Sequence, residues 1–132
     1  DGSSLLEVEV NREFWNKKAK WTVDAADKLL TVVTSALGAP QLGYVKNYIA
    51  LNIGRNNYFW LHKRSGNKSL LGFRIAPHLA DDAQQILDDA KISFTQKPKL
   101  ILLTVDLATI EANAESFSKI AGLVKRTWDK AS

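Results

Sequence analysis

The sequence predicts an α+β domain of two layers, in which an antiparallel sheet packs against helices from the two ends of the chain. Two long segments with apolar residues at helical spacing lie near the two termini. Between them, alternating apolar residues are interrupted by two turn signals, as in a three-stranded meander. A short helix and one further apolar strand follow. This order of elements is typical of helices packed on one face of a sheet.

The first helix is predicted within residues 12–37. Asn11 can cap its start, and the apolar positions from Val23 onwards recur about every 3.6 residues. Gly38, with a proline two residues later, is a stop signal. The β-branched pair at positions 22 and 23 leaves open whether the segment is one helix or two.

The meander is predicted over residues 44–76. Residues 44–53 alternate between apolar and polar and read as one strand. The turn "GRNN" leads to a second strand at 58–64, and the turn "SGN" leads to a third strand that ends before Pro77. Three antiparallel strands in sequence order are therefore expected.

The remaining elements are a short amphipathic helix, a strand and a final helix. The helix is predicted over residues 78–91, and a nearly continuous apolar run at 100–103 predicts a strand buried on both faces. Asp106 is placed to cap the last helix, whose apolar positions extend to Trp128.

At 132 residues the chain is long enough for a single domain with its own core. We expect residues 1–10 to be a linker or flexible segment, residues 11–130 to form the domain, and the chain to be an excised part of a longer protein, since it lacks methionine. The absence of cysteine excludes disulfides and thiolate chemistry and fits a reducing compartment, so a cytoplasmic location is expected. No apolar run approaches the ~20 residues of a membrane span, so no membrane association is expected.

The charge distribution is uneven although the net charge is only +4. No acidic residue occurs between Asp27 and Asp81, whereas seven lysines and arginines do. A segment with one sign of charge attracts polyanions. The depletion of acidic residues in strands explains the same pattern without a function.

The predicted strand "YFWLHKR" can carry a binding surface. Alternation separates Phe59 and Leu61, on one face, from Tyr58, Trp60, His62 and Arg64 on the other. If Phe59 and Leu61 enter the core, the second set lines the open face of the sheet. The neighbouring strands are expected to add these residues to it: Tyr44, Lys46, Tyr48, Lys68 and Arg74. Rings and cations together are what single-stranded nucleic-acid binders use. The alternative is that these rings are cross-strand pairs under helices.

Other candidate sites have simpler explanations. The stretch "REFWNKKAKW" is predicted to be a helix that packs its aromatics and leaves its lysines in water. The less favoured alternative is a basic arm or a helix that docks on a partner. His78 lies near Asp81 and Asp82, but no metal-ligand spacing, phosphate loop or catalytic motif occurs. No catalytic activity, metal or cofactor is therefore expected.

Four stretches carry a resemblance to a known kind of domain: "NREFWNKKAKWTVDAADKLL", "YIALNIGRNNYFWLHKR", "DDAQQILDDAKISF" and "LATIEANAESFSKIAGLVKRTW". From Asn11 to Trp128 the chain resembles a small domain of unknown function at the C-terminal end of prokaryotic proteins, some with nuclease-like or DNA-related N-terminal regions. The resemblance implies a non-catalytic accessory domain in a DNA-related setting. It assigns no site residue.

Two functional hypotheses follow. The first is an accessory domain that engages DNA or RNA, in which cations position phosphates without reading sequence. The residues predicted to carry it are Lys46, Arg55, Trp60, His62, Lys63, Arg64 and Lys68. The second is a protein-interaction module, in which exposed Trp60, Tyr48 and Tyr58 meet a second copy or another domain of the parent chain.

Overall fold

A computed structural model describes residues 9–131 of the chain, and the side chains of residues 9–129. The predicted linker at residues 1–10 therefore lies mostly outside the described part. The elements in chain order are α1 (Arg12–Leu37), β1 (Gln41–Tyr44), β2 (Ile49–Ile53), β3 (Asn56–Lys63), β4 (Ser69–Arg74), α2 (Pro77–Asp89), β5 (Thr95–Lys97), β6 (Leu100–Val105), α3 (Leu107–Ala112) and α4 (Ala114–Ala131).

The strands form a six-stranded antiparallel sheet in the order β1-β2-β3-β4-β6-β5. The predicted α+β two-layer architecture is confirmed. The sheet has two strands more than the four expected, because the short segments β1 and β5 pair at its two edges. The predicted meander forms its centre, with β6 beside β4.

The core lies between one face of the sheet and the helices. Every second residue of the central strands is buried on this inner face, among them Phe59, Leu61, Leu71, Phe73 and Ile101. The helices meet them with α1 residues from Trp15 to Leu37 and α4 residues from Phe117 to Val124. Burial of these side chains holds the two layers together, at roughly 25 cal/mol per Å² of apolar surface.

The first helix begins and ends where the sequence indicates. The Asn11 side chain accepts a hydrogen bond from the Phe14 N–H at 3.0 Å, and Gly38 ends the helix with φ 83°. Residues 12–37 form one helical segment that is interrupted by a kink. Ala19 has non-helical angles (φ −162°, ψ 80°), so a single helical segment is kinked three residues before the β-branched pair.

The prediction of a single strand over residues 44–53 is wrong. The chain turns after Tyr44 and returns as β2, so that Tyr44 pairs with Ile49. The turn is held by α1: the Trp15 indole donates to the Val45 carbonyl at 2.7 Å, and the Lys18 ammonium donates to the Lys46 carbonyl. Tyr44 therefore lies on the inner side of the sheet, where its hydroxyl accepts a hydrogen bond from Arg12.

Two further details differ from expectation. Leu102 is only partly buried, because β6 covers the core with Ile101, Leu103 and Val105 and turns its other face outwards. The last helical segment is broken at Asn113, which has φ −122° and ends α3 before α4 begins.

Asp106 caps α3 as predicted, and its carboxylate is bound from three sides. It accepts hydrogen bonds from the Thr109 hydroxyl at 2.7 Å and the Thr109 N–H at 2.8 Å, and it pairs with the Lys68 ammonium at 2.9 Å. These partners, the Thr109 hydroxyl foremost, lower the pKa of Asp106 to about 2. The ionised form is thus favoured by the fold.

We expect Asp106→Ala to lower the free energy of unfolding by about 1–2 kcal/mol at neutral pH, the usual cost of a lost cap. The folded pKa lies below the unfolded value, so this stability is full above about pH 4 and is lost as the pH falls towards 2. Urea denaturation of wild type and variant across this range measures the difference. Glu111→Ala, an exposed neighbour, is the control. A deficit that does not shrink in acid would contradict an electrostatic origin.

Candidate functional site

The alternation predicted for the aromatic strand is present in β3. Phe59 and Leu61 are fully buried on the inner face, whereas Trp60 and His62 lie half-buried on the outer face. The register places Trp60 between Ala50 of β2 and Gly72 of β4, and His62 opposite Leu70. The outer face therefore carries partly exposed aromatic side chains above small neighbours.

A cleft of about 370 Å³ opens on this face. Six of its eight lining residues come from the acid-free segment between Asp27 and Asp81. The lining residues are Tyr48, Arg55, Asn57, Trp60, His62, Arg74, Leu100 and Trp128. We call this the outer cleft.

The position of the Trp60 indole depends on Gly72 of the neighbouring strand β4. Its indole occupies the space that a side chain at Gly72 would fill, since a Cβ there would lie 2.6 Å from Trp60 Cε2. Real Cβ atoms do not approach so closely, so the indole can lie across β4 only because residue 72 has no side chain. Gly72 thus fixes where Trp60 lies in the outer cleft.

A column of three side chains, Tyr58, Trp128 and Arg74, lies at one side of the outer cleft, and the last two of them line it. The register of β2 and β3 shifts by one residue between Leu51 and Asn52, which leaves Tyr58 as the extra residue of a bulge. The Tyr58 ring stacks on Trp128 with centroids 5.7 Å apart, and the Arg74 guanidinium lies 5.1 Å from the centre of the Trp128 ring. The expectation that Tyr58 is exposed is wrong: it is 5% exposed because Trp128 covers it.

Trp128 is brought to the outer cleft by the end of α4. The Thr127 hydroxyl accepts a hydrogen bond from the Ala76 N–H at 3.0 Å, which fastens the helix to the chain just beyond β4. The spacing of Trp128 matches the core positions of the last helix and therefore predicts that it is one of them. No local sequence signal indicates that Trp128 contacts Arg74, which lies 54 positions earlier in the chain.

The outer cleft is electropositive. Arg55 lies in the turn between β2 and β3, Arg74 ends β4, and no carboxylate lines the cleft among the described residues. Neither arginine has an ion pair within the described part of the chain. Burial and the charge of Arg64 lower the pKa of His62, although its hydrogen bond to the Asn47 carbonyl opposes this. His62 is therefore neutral at neutral pH.

The structure brings together three of the seven residues predicted for the site: Arg55, Trp60 and His62. The others lie elsewhere. Lys46 is in the β1–β2 turn, and Lys63 follows Phe59 and Leu61 on the inner side, at the sheet margin. Arg64 folds back so that its Nη1 donates to the Lys63 carbonyl at 2.8 Å, and Lys68 is paired with Asp106.

The basic aromatic stretch at the start of α1 packs as expected of a helix. Trp15 is fully buried, whereas the side chains of Lys17 and Lys20 are 80% and 68% exposed. Trp21 donates its indole N–H to the Lys68 carbonyl at 2.9 Å, so it ties α1 to the β3–β4 turn. These aromatics support the fold.

Other kinds of site have less support in the described residues. No group of three or more histidine, aspartate or glutamate side chains in residues 9–129 is arranged to hold a metal ion. Within the same part of the chain, no helix has both the length and the apolar content needed to cross a membrane. His78 is exposed at the start of α2. No family model, curated protein or solved structure matches the chain.

Proposed function

We propose that this chain is a non-catalytic accessory domain that binds single-stranded nucleic acid in the outer cleft. The observation that carries the proposal is the convergence of Arg55 and Arg74 on the rings of Trp60 and Trp128, with no carboxylate lining the cleft among the described residues. A nucleotide has an aromatic base and an anionic phosphate, and this combination of side chains suits both.

The cations of the outer cleft are available to a ligand. Several other cations of the chain are engaged by carboxylates, for example Arg12 by Asp27 and Lys68 by Asp106. Arg74 instead lies on the Trp128 ring, which orients the guanidinium without neutralising its charge. An arginine held in this way retains its five donors for phosphate oxygens.

The rings favour an unpaired base over a duplex. A base within a double helix is already stacked, and its faces cannot reach a half-buried indole such as Trp60. The volume of the outer cleft, about 370 Å³, is at the lower end of the ~300–1,000 Å³ that small-ligand sites occupy. It suits one nucleotide unit of a longer strand.

Binding to labelled single- and double-stranded DNA of equal length across a salt series tests the proposal. The single strand is expected to bind more tightly and to quench tryptophan fluorescence. The logarithm of its association constant should fall linearly with the logarithm of salt concentration. Two phosphate contacts give a slope of about −1.4, and further contacts make it steeper. Lys119→Ala, a charge change on α4 away from the outer cleft, should leave this unchanged. Absence of binding at low salt, or equal binding of the duplex without quenching, would refute the proposal.

A second candidate function is self-association or docking of another domain through the outer face. Next to the outer cleft, Leu70 of β4 and Leu102 of β6 are partly exposed, beside Leu100. Apolar side chains grouped on a sheet face favour a protein partner. Sedimentation equilibrium distinguishes the two: a stable dimer whose formation shields Trp60 favours this second function.

A further inference from the structure

One ring nitrogen of His62 is hydrogen-bonded, and the other has no partner in the part of the chain that the structure describes. Its Nδ1 lies 3.1 Å from the Asn47 carbonyl oxygen. A carbonyl oxygen only accepts hydrogen bonds, so Nδ1 must carry the proton. In the neutral imidazole Nε2 is then an acceptor, and it has no hydrogen-bond partner among the described residues.

The ring is held in place on both sides. The Tyr48 ring lies 5.5 Å from the imidazole at an angle of 54°, and Asn47 belongs to the same turn between β1 and β2. His62 follows Trp60 by two residues on the same strand face, a separation of about 7 Å. A base that stacks on Trp60 therefore brings its edge towards His62.

The groups around His62 keep it neutral. Arg64, just beyond the end of β3, opposes a positive imidazolium, and the two arginines Arg55 and Arg74 line the same outer cleft. Tyr48 and Leu70 are its uncharged neighbours, and no carboxylate lines the outer cleft among the described residues. Burial acts in the same direction and is the largest cause of its lowered pKa.

We propose that His62 reads the base that stacks on Trp60, by accepting at Nε2 a hydrogen bond from an exocyclic amino group. This inference rests on the proposed nucleic-acid function and adds base selectivity to it. Cytosine presents an amino group at the position where uracil presents a carbonyl oxygen. The lone pair of Nε2 attracts the first and repels the second, so cytosine is preferred.

Short oligo(dC) and oligo(dU) are the matched probes, because their bases differ in the group at that position. At about pH 8, wild type is expected to bind oligo(dC) about 5- to 10-fold more tightly, the discrimination of one net hydrogen bond. His62→Phe keeps a ring beside Tyr48 but removes the acceptor, so the ratio should fall to about one. Thermal unfolding of this variant verifies its fold.

The pH dependence of the ratio separates a reading role from a structural one and needs no variant. As the pH falls through the lowered pKa of His62, Nε2 becomes protonated and turns into a donor, so wild type should lose its preference for oligo(dC) while both affinities rise. A ratio near one at pH 8, or a ratio independent of both pH and His62→Phe, would overturn base reading although nucleic-acid binding stands. If neither oligonucleotide binds, the proposed function itself fails, and base reading fails with it.

Discussion

Phe59→Ala is expected to lower the free energy of unfolding by about 3–5 kcal/mol, the cost of an enclosed cavity in place of a large aromatic side chain. Phe59 is fully buried, and its ring packs against Phe73 with centroids 5.6 Å apart. The site lies at the centre of the sheet, between β2 and β4, where the backbone has little freedom to collapse. Urea denaturation followed by circular dichroism measures the loss.

Trp60→Ala, one residue further along β3, is the matched control. Trp60 is half-buried on the outer face, so its removal leaves no closed cavity and should cost less than about 2 kcal/mol. The loss of a stacking ring should instead weaken single-stranded DNA binding by about 1–3 kcal/mol. Similar destabilisation by the two substitutions would contradict the assignment of Phe59 to the core and Trp60 to an open face.

Much of the fold is predictable because its signals are local. Asn11, Gly38 and Asp106 mark helix ends through hydrogen bonds or backbone angles within a few residues, and each does so in the structure. The alternation in β3 is likewise local, since the pleat alone sends Phe59 and Trp60 to opposite faces. These elements and the α+β class therefore follow from pattern and propensity.

The β1–β2 turn shows why other parts are not predictable. Its residues, Val45 to Tyr48, include no glycine or proline, and their alternation continues that of β2. The turn is held by Trp15 and Lys18, which lie about thirty residues earlier and bind its carbonyls. Tertiary contacts of this kind override a local strand preference.

The outer cleft was predictable only in part for the same reason. Trp60 and His62 follow from the alternation of one strand, and Arg74 was expected on the same face. Trp128 reaches the cleft because Thr127 is bonded to Ala76, a long-range contact. The basic turn between β3 and β4 looked like part of the site because its cations are adjacent in sequence. In the fold, Lys63 and Lys68 point away from the cleft-lining residues.

The double substitution Arg55→Gln/Arg74→Gln is expected to weaken single-stranded DNA binding by at least about tenfold, since charge-assisted hydrogen bonds to phosphate contribute about 1.5–3 kcal/mol each. The magnitude of the salt slope should decrease by about 1.4, because two phosphate contacts no longer release counterions. Glutamine retains an aliphatic stem with a polar amide at its end, so Trp128 stays covered and stability should change little. Fluorescence anisotropy across a salt series measures both quantities.

The triple substitution Lys63→Ala/Arg64→Ala/Lys68→Ala is the comparison that decides between the two basic regions. It removes one more positive charge than the double substitution, yet it should weaken binding less. None of these three residues lines the outer cleft, and Lys68 is already paired with Asp106. If affinity followed total charge, the triple variant would be the weaker binder. A larger loss in the triple variant would therefore place the nucleic acid on the β3–β4 turn, whereas a larger loss in the double variant places it in the outer cleft.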